Sequence, residues 1–337
     1  MTTTALAPKD YASDQEIRWC PGCGDYAILK AMTRTLADLG VRREQTVFVS
    51  GIGCASRFPY YVSSYGFHTI HGRAPAIATG VKLANPDLDI WVVMGDGDGL
   101  SIGGNHTLHV LRRNVNLQLL LFNNEIYGLT KGQASPTSRR GTRSPSTPRG
   151  SLDAPLVPGA FAIGAGARFF ARAVDVQQPL LVDVLKRAHE HRGAALVEIF
   201  QNCVVFNDGA FDEFTDRKVA ADMQLPLVHG QPMLFGADRS RGLRLRPGSL
   251  ELEVVRVGEN GIGMEDVLIH DQRNRSLAAM LVQLAPPEFP VAVGVILDDP
   301  APSFEDVLFE AIAGELQEGP GRLDDLLTKG NTWEVVG

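Results

Sequence analysis

Three glycines that alternate with two aspartates constrain the fold of this chain more than any other feature. Residues 90–94 are apolar at every position, as in a parallel strand that is buried on both faces of a sheet. Gly-Asp-Gly-Asp-Gly follows at residues 95–99, where glycines permit a sharp turn and a close approach of backbone to ligand. The two carboxylates argue against direct binding of a phosphate group, because like charges repel, unless a divalent cation lies between them. The pattern therefore favours Mg2+, which prefers oxygen ligands.

A second apolar run, residues 117–122, ends at Asn123 and Asn124. The 25 residues between Gly97 and Asn123 are enough for a crossover helix and a return strand. Parallel strands that are joined in this way end at the same edge of a sheet, where open α/β folds bind ligands. We therefore expect Asp96 and Asn124 to lie close together.

Strand-like and helix-like segments alternate through the first two thirds of the chain. Thr46 to Ser50 reads as a strand, and Asp25 to Leu39 reads as a helix that stops at Gly40. This alternation predicts an α/β fold with a doubly wound parallel sheet. We expect one domain over residues 1–208, with a polar N-terminal arm up to Glu16, and an irregular C-terminal extension over residues 209–337 that wraps the domain or contacts a partner.

Composition excludes several classes of function. The net charge of -7 disfavours a nucleic-acid-binding protein, which usually has a basic face. No apolar run approaches the roughly 18 residues that a membrane span needs. Residues 1–4 and the polar residues after them lack the charged and apolar regions of a secretory signal. We therefore expect a cytoplasmic protein, whose four cysteines are thiols or metal ligands rather than disulfides.

The cysteines allow three interpretations. Cys20 and Cys23 form a Cys-x-x-Cys motif, whereas Cys54 and Cys203 are 149 positions apart. A thioredoxin-like redox loop would follow an early strand and helix, and only polar residues precede this motif. A structural zinc site usually takes two close Cys-x-x-Cys pairs. A [4Fe-4S] cluster takes four thiolates. The cysteines by themselves leave all three open.

Several motifs carry a resemblance to a known family. Gly-Asp-Gly followed by Asn-Asn is similar to the thiamine diphosphate (ThDP) signature, which implies that Asp96, the Asn124 side chain and the Ile126 carbonyl hold Mg2+. With the motifs at residues 19–24, 51–57, 71–74, 95–98, 123–133 and 201–203, the chain resembles the β subunits of the 2-oxoacid:ferredoxin oxidoreductases. The resemblance extends from Trp19 to about Gly209. It is strongest to the 2-oxoglutarate type.

The resemblance implies a ThDP-binding (diphosphate) domain and a specific activity. The family carries out CoA-dependent oxidative decarboxylation, here of 2-oxoglutarate to succinyl-CoA and CO2, and is reversible in principle. Electrons pass through one [4Fe-4S] cluster to ferredoxin. Alternatives are specificity for pyruvate or a broad range of 2-oxoacids, a ThDP decarboxylase or synthase with structural zinc, and a four-cysteine metal-binding scaffold without catalysis.

The resemblance also assigns residues to roles. The cluster ligands would be Cys20, Cys23, Cys54 and Cys203. The cofactor-binding residues would be Ile52, Gly53, Cys54, Ser56, His71, Gly72, Gly95, Asp96, Gly97, Asp98, Asn124, Ile126, Gly128, Leu129 and Thr130. Arg57 is the first candidate for the distal carboxylate of 2-oxoglutarate, because a guanidinium forms paired hydrogen bonds with a carboxylate. Lys131 is the second.

The activating glutamate of ThDP enzymes belongs to a domain that this chain does not resemble. The resemblance implies that an α subunit supplies that glutamate and much of the CoA site. We therefore expect the chain to contribute no complete catalytic set alone and to act as an αβ unit or a dimer of such units, with ferredoxin as a further partner.

Overall fold

We describe a computed structural model of the chain, which covers residues 6–317, 319, 321–330 and 332–337. Residues 1–5 lie outside the described residues. The expectation that the chain lacks a secretory signal rests partly on them. The strands are β1 Thr46–Ser50, β2 Tyr65–His68, β3 Asp89–Gly95, β4 Leu117–Asn123, β5 Ile126–Tyr127, β6 Gln133–Ala134, β7 Phe169–Val174, β8 Ala194–Phe200, β9 Gln224–Pro226, β10 Leu234–Phe235, β11 Arg241–Leu245, β12 Leu252–Arg256 and β13 Val291–Asp298. The helices are α1 Asp25–Leu39, α2 Ala74–Ala84, α3 Gly104–Arg113, α4 Pro158–Gly164, α5 Gln178–Glu190, α6 Asp212–Thr215, α7 Ala220–Met223, α8 Arg275–Leu281, α9 Phe304–Gln317 and α10 Leu323–Thr328. Within these described ranges no helix has the length and apolar content to cross a bilayer.

Eight strands form the central sheet in the order β2-β1-β3-β4-β8-β7-β13-β9. Neighbouring strands are parallel, apart from β13, which runs antiparallel to β7. A smaller antiparallel sheet contains β10, β11 and β12. The predicted α/β fold with a mostly parallel sheet is confirmed.

Both faces of the sheet are buried, which explains its unbroken apolar strands. Along β3, Val92 and Met94 belong to one apolar core, whereas Trp91 and Val93 belong to the other. Helices α2, α3, α4 and α8 contribute to the first core, and α1 and α5 contribute to the second. Successive side chains of a strand point to opposite faces, so a strand between two helical layers must be apolar at every position.

Part of the predicted C-terminal extension lies inside the sheet. Strand β13 pairs with β7, and β9 pairs with the other side of β13. Helix α8 packs against the same core as β3 and β4, through Leu277 and Leu281. These segments are therefore part of the sheet and its core rather than a peripheral wrap. The division of the chain at residue 208 stays a prediction.

The N-terminal segment is anchored, contrary to the expected polar arm. Tyr11 is fully buried, and its hydroxyl donates to the Val41 carbonyl at 2.5 Å. The Ala12–Val62 bridge also ties this segment to the body of the protein. The one aromatic ring supplies the apolar surface that holds an otherwise polar segment in place.

Four adjacent strands end along one edge of the sheet and so assemble the functional residues. The order β1-β3-β4-β8 places the carboxyl ends of these strands side by side. Residues 51–54 follow β1, residues 96–98 follow β3, Asn124 follows β4 and residues 201–203 follow β8. Motifs that are far apart in the chain thereby meet.

Candidate active site

A cavity of about 280 Å³ opens at the carboxyl ends of β1, β3 and β4. The cofactor-binding residues predicted from the sequence that line it are Ile52, Gly53, Cys54, His71, Gly95, Asp96, Gly97, Asp98, Asn124, Ile126, Gly128, Leu129 and Thr130. The structure thus brings most of that set together. Ser56 and Gly72 are absent from the lining. Ser56 is fully buried, and Gly72 donates its backbone N–H to Asp98.

Asp96 and Asp98 are both buried acids of this cavity, and only 2% of the surface of Asp96 is exposed. Burial raises the pKa of Asp96 to about 6. Thr137 lies 2.5 Å from one carboxylate oxygen and 3.0 Å from the side-chain oxygen of Asn123. Hydrogen bonds from the Ser135 and Thr137 side chains and from the Gly97 backbone favour the ionised form of this carboxylate, and an ionised carboxylate at the cavity wall is the kind of ligand that magnesium prefers.

Asp98 joins three turns of the cavity wall. Its Oδ1 accepts hydrogen bonds from the backbone N–H groups of Gly72, at 2.7 Å, and Ile52, at 3.1 Å. Its Oδ2 is buried and has no hydrogen-bond partner in the described part of the chain. A Cβ atom at Gly51 would lie 2.0 Å from that oxygen, so only glycine permits this approach. Asp98 therefore holds the turn after β1 against the segment before α2.

Asn124 begins a tight turn that places Asn124 and Ile126 at the cavity wall. Its Oδ1 accepts from the Ile126 N–H at 3.1 Å. Glu125 lies between them in the left-handed region, with φ of 56°. Such a turn over two residues is typical of asparagine. It keeps the Asn124 side chain and the Ile126 backbone at the same cavity wall.

All four cysteines line a second cavity, of about 220 Å³. None of them forms a disulfide. A Cβ atom at Gly128 would lie 3.6 Å from Cys203 Sγ and 3.7 Å from Cys54 Sγ, so these two thiols face the same glycine. Among the described residues, no three His, Cys, Asp or Glu side chains are disposed to hold one metal ion. The four sulfurs surround a space without converging on a point.

Contacts with remote backbone hold the Cys-x-x-Cys loop over the sheet edge. The indole N–H of Trp19 donates to the Cys54 carbonyl at 2.7 Å. The Gly24 N–H donates to the Asn202 carbonyl at 3.2 Å. Gly22 has φ of 85°, a conformation that glycine adopts readily between the two cysteines. The loop is thus tied both to the turn after β1 and to the turn after β8.

Burial keeps two of the thiols protonated when no cation is near. It raises the pKa of Cys54 to about 11, and it raises the pKa of Cys23 well above the ordinary thiol value. A buried thiolate is stabilised when iron or zinc takes the place of the proton. Four thiols that line one cavity are a donor set that an iron or zinc group could use.

Arg57 and Lys131 line the cysteine cavity and are absent from the lining of the first cavity. The charge of Arg57 acts on Cys54 and favours its thiolate. Sequence spacing placed Arg57 near Cys54 but could not tell which side of the turn it faces. Arg18 lines the same cavity.

The two cavities share a wall. Cys54, Asn124, Gly128 and Leu129 line both of them. A group bound in one cavity would therefore lie next to a group bound in the other. Short separations of this kind suit electron transfer between cofactors.

Several site residues were missed by sequence reasoning. Ala55, Ile102, Phe122 and Tyr127 also line the first cavity, and Thr137 contacts Asp96 from a distant loop. The hydroxyl-rich sequence Ser-Pro-Thr-Ser at 135–138 was the available signal for Thr137. Its position depends on how a long loop folds back, which local pattern does not reveal.

The chain is similar to several known proteins. Residues 51–199 match the family model described as "Thiamine pyrophosphate enzyme, C-terminal TPP binding domain". The 2-oxoglutarate oxidoreductase subunit KorB of Mycobacterium tuberculosis is 48% identical over 334 residues, which is 97% of this chain and 88% of that protein. The 2-oxoacid:ferredoxin oxidoreductase 1 subunit beta of Aeropyrum pernix is 49% identical over 196 residues, or 58% of this chain and 62% of that protein.

A solved structure is similar over nearly the whole length. It is the 2-oxoglutarate:ferredoxin oxidoreductase from Magnetococcus marinus with 2-oxoglutarate, coenzyme A and succinyl-CoA bound. The match has a TM-score of 0.76 and 34% sequence identity, and it covers 98% of each chain. With a relative 48% identical along most of both chains, the assignment is clear. The chain belongs to the family of 2-oxoacid:ferredoxin oxidoreductase β subunits.

Proposed function

We propose that this chain is the β subunit of an enzyme that converts 2-oxoglutarate and CoA to succinyl-CoA and CO2 and passes the electrons to ferredoxin. The observation that carries the proposal is the wall shared by the two cavities. One cavity holds Asp96 and Asn124, and the other holds the four cysteines. An oxidoreductase that moves electrons from an organic cofactor to an iron–sulfur cluster needs both groups side by side.

The first cavity has the residues to hold ThDP through Mg2+. Asp96, the Asn124 side chain and the Ile126 carbonyl would be the protein ligands of the cation, with the diphosphate completing its oxygen shell. When bound, ThDP supplies the nucleophilic carbon and the electron sink that decarboxylation requires. The apolar side chains of Ile52, Phe122 and Leu129 would exclude water from that carbon.

We propose that the second cavity holds a [4Fe-4S] cluster, because all four cysteines line it. A zinc ion requires its four ligands within about 2.3 Å of one point. The described thiols instead surround about 220 Å³ of space, with no three ligands disposed to hold one ion. Four thiolates around a larger group match the cluster.

Substrate choice has two candidate explanations. For 2-oxoglutarate, Arg57 or Lys131 would bind the distal carboxylate from the cysteine cavity, which shares a wall with the first cavity. For pyruvate or a broad range of 2-oxoacids, the apolar lining of the first cavity, which contains neither cation, would suffice. The names of the Mycobacterium tuberculosis and Magnetococcus marinus relatives favour 2-oxoglutarate. The name of the Aeropyrum pernix relative leaves the 2-oxoacid open.

An α subunit would complete the site and cover apolar surface of this chain. Helix α9 exposes Val307, Ile312 and Leu316, with 55%, 44% and 73% of their surfaces accessible. Exposed apolar residues on one helix are typical of an interface. This surface supports the prediction that residues after 208 contact a partner. A cytoplasmic location, where ferredoxin and CoA are available, is part of the proposal.

The test is to purify the chain anaerobically together with its α subunit and to assay a panel of 2-oxoacids. We expect CoA-dependent reduction of ferredoxin with 2-oxoglutarate, at a higher kcat/KM than with pyruvate. Equal activity on both acids would favour the broad-range alternative. Decarboxylation without any electron transfer to ferredoxin would contradict the proposal.

A further inference from the structure

The side chain of Gln201 bridges the two cavities. It follows β8 directly and is 98% buried, with only 2% of its surface exposed. Its Oε1 accepts from Asn124 Nδ2 at 2.8 Å, and its Nε2 donates to Cys23 Sγ at 3.4 Å and to the Asn202 carbonyl at 2.5 Å. One amide therefore contacts a residue of the magnesium turn and a residue of the cysteine loop.

Backbone groups at both ends determine the orientation of this amide. The Ile126 N–H can only donate, so the atom of Asn124 that faces it is the oxygen. The Asn124 NH2 then faces Gln201, which must accept with its own oxygen. The Asn202 carbonyl can only accept, so the Gln201 NH2 faces it and directs its second hydrogen at the sulfur. The network has one consistent assignment.

The neighbouring glycine makes this contact possible. A Cβ atom at Gly24 would lie 3.0 Å from Gln201 Cγ and 2.0 Å from a carboxylate oxygen of Asp175. Any larger residue would push the side chain of Gln201 away from the loop that carries Cys23. The absence of a side chain at position 24 thus fits the approach of Gln201.

We propose that Gln201 is a positioning residue that both donates a hydrogen bond to the Cys23 thiolate of the cluster and holds Asn124 in the geometry that binds Mg2+. The inference rests on the proposed function, because it takes Cys23 as a cluster ligand and Asn124 as a cation ligand. Gln201 does not line the first cavity, where the substrate and the cofactor would bind, and we therefore assign it a positioning role.

Two measurable effects follow. Reduction of the cluster by one electron adds negative charge that spreads over iron and sulfur, and an N–H donor at sulfur stabilises the reduced state more than the oxidised state. Hydrogen bonds to sulfur are among the factors that set cluster potentials. Loss of the donor should therefore lower the reduction potential. Loss of the acceptor should free the Asn124 side chain to rotate and weaken Mg2+-dependent binding of ThDP.

The test compares Gln201→Leu with Gln178→Leu in the anaerobically purified αβ enzyme. Gln178 is a half-buried glutamine that donates to the carbonyls of Ala27 and Asp175, at 3.0 Å each, with no contact to sulfur.

For Gln201→Leu we expect a roughly three- to tenfold smaller equilibrium constant for cluster reduction, the range of one net hydrogen bond. Tenfold corresponds to about 59 mV in a one-electron titration. ThDP should bind about three- to tenfold more weakly. Gln178→Leu should change neither quantity.

A second variant, Gln201→Glu, separates the two contacts and serves if the leucine variant loses its cluster. The new side chain keeps one oxygen toward Asn124. At alkaline pH, where the carboxylate is ionised, its second oxygen faces Cys23 in place of the amide NH2. We expect near-normal ThDP affinity and a potential below that of the wild type. An intact cluster with wild-type potential in both Gln201 variants would overturn this inference alone. Wild-type enzyme without iron would overturn the cluster assignment, and this inference with it.

Discussion

Thr137 donates a hydrogen bond to Asp96 across 2.5 Å, although 41 residues separate them. Thr137 lies in a loop that folds back over the end of β3, and it is buried there with 4% of its surface exposed. The hydroxyl favours the ionised form of a carboxylate that burial otherwise disfavours. The loop after β6 therefore contributes a hydrogen bond to the residue that we propose as a ligand of Mg2+.

Asp96→Ala should abolish Mg2+-dependent binding of ThDP, because the variant lacks the only carboxylate among the three proposed ligands of the cation. The cluster should remain, since Asp96 is no cluster ligand. Isothermal titration with ThDP and Mg2+, together with the visible spectrum, checks both statements. Asp238→Ala, which removes an exposed aspartate elsewhere, is the control. Unchanged ThDP affinity in Asp96→Ala would show that the cation is held by other residues.

Cys203→Ser should lose the iron–sulfur cluster and retain ThDP. Wild-type protein, purified without oxygen, should contain about four irons per chain and show visible absorbance that dithionite bleaches. Removing one thiolate of four leaves an incomplete ligand set. Val205→Ser changes an exposed residue that lines the same cavity and should keep the iron. Stoichiometric zinc without iron in the wild type would instead support a structural metal site.

Arg57→Ala should lower kcat/KM for 2-oxoglutarate by at least about 30-fold, with a much smaller effect on pyruvate. Truncating one partner of a buried charge-assisted pair typically costs about 2–5 kcal/mol, and each 1.4 kcal/mol is about tenfold. Steady-state assays of both substrates make the comparison. Arg18→Ala is a matched control, because Arg18 lines the same cavity but pairs with Glu16 at the surface.

Because Arg57 lines the cysteine cavity, other results of these assays would identify a different role for it. Equal losses on both substrates, accompanied by a changed cluster potential, would show that Arg57 acts on the cluster rather than on the substrate. No loss on either substrate would leave Lys131 or the α subunit as the carboxylate site.

His189→Gln should reduce stability below pH 6.5 and have progressively less effect at higher pH. A hydrogen bond to Asp89 raises the pKa of His189 above its ordinary value of 6.5. The stability that a raised pKa contributes is fully present below the pKa of the unfolded state, and it is lost as the pH rises through the pKa of the folded state. For this partly exposed pair we expect a contribution of about 0.2–1 kcal/mol to the free energy of unfolding.

Urea unfolding of His189→Gln at several pH values, with the exposed His109→Gln as control, tests this expectation. A pH-independent difference between wild type and His189→Gln would mean that stacking on Trp91 dominates.

The sequence by itself determined the layered sheet and the edge at which its ligands bind. Residues 90–94 and 117–122 are apolar without interruption, and such strands are stable only between two helical layers. Crossover connections between parallel strands bring their carboxyl ends to one edge, so Asp96 and Asn124 had to meet. The carboxylates at that edge favoured a divalent cation there, and the resemblance of the surrounding motifs to a known family implied ThDP and the cluster.

The tertiary structure alone decided which side chains complete the site. Gln201 reaches Cys23 across 178 residues of chain, and Thr137 reaches Asp96 through a loop without a regular pattern. Arg57 and Lys131 turned out to line the cysteine cavity, and Val291–Asp298 lies within the sheet. Periodicity and spacing are local patterns, which indicate whether a segment is a helix or a strand. The direction of a loop side chain depends instead on packing against remote backbone. That packing exists only once the whole sheet has formed.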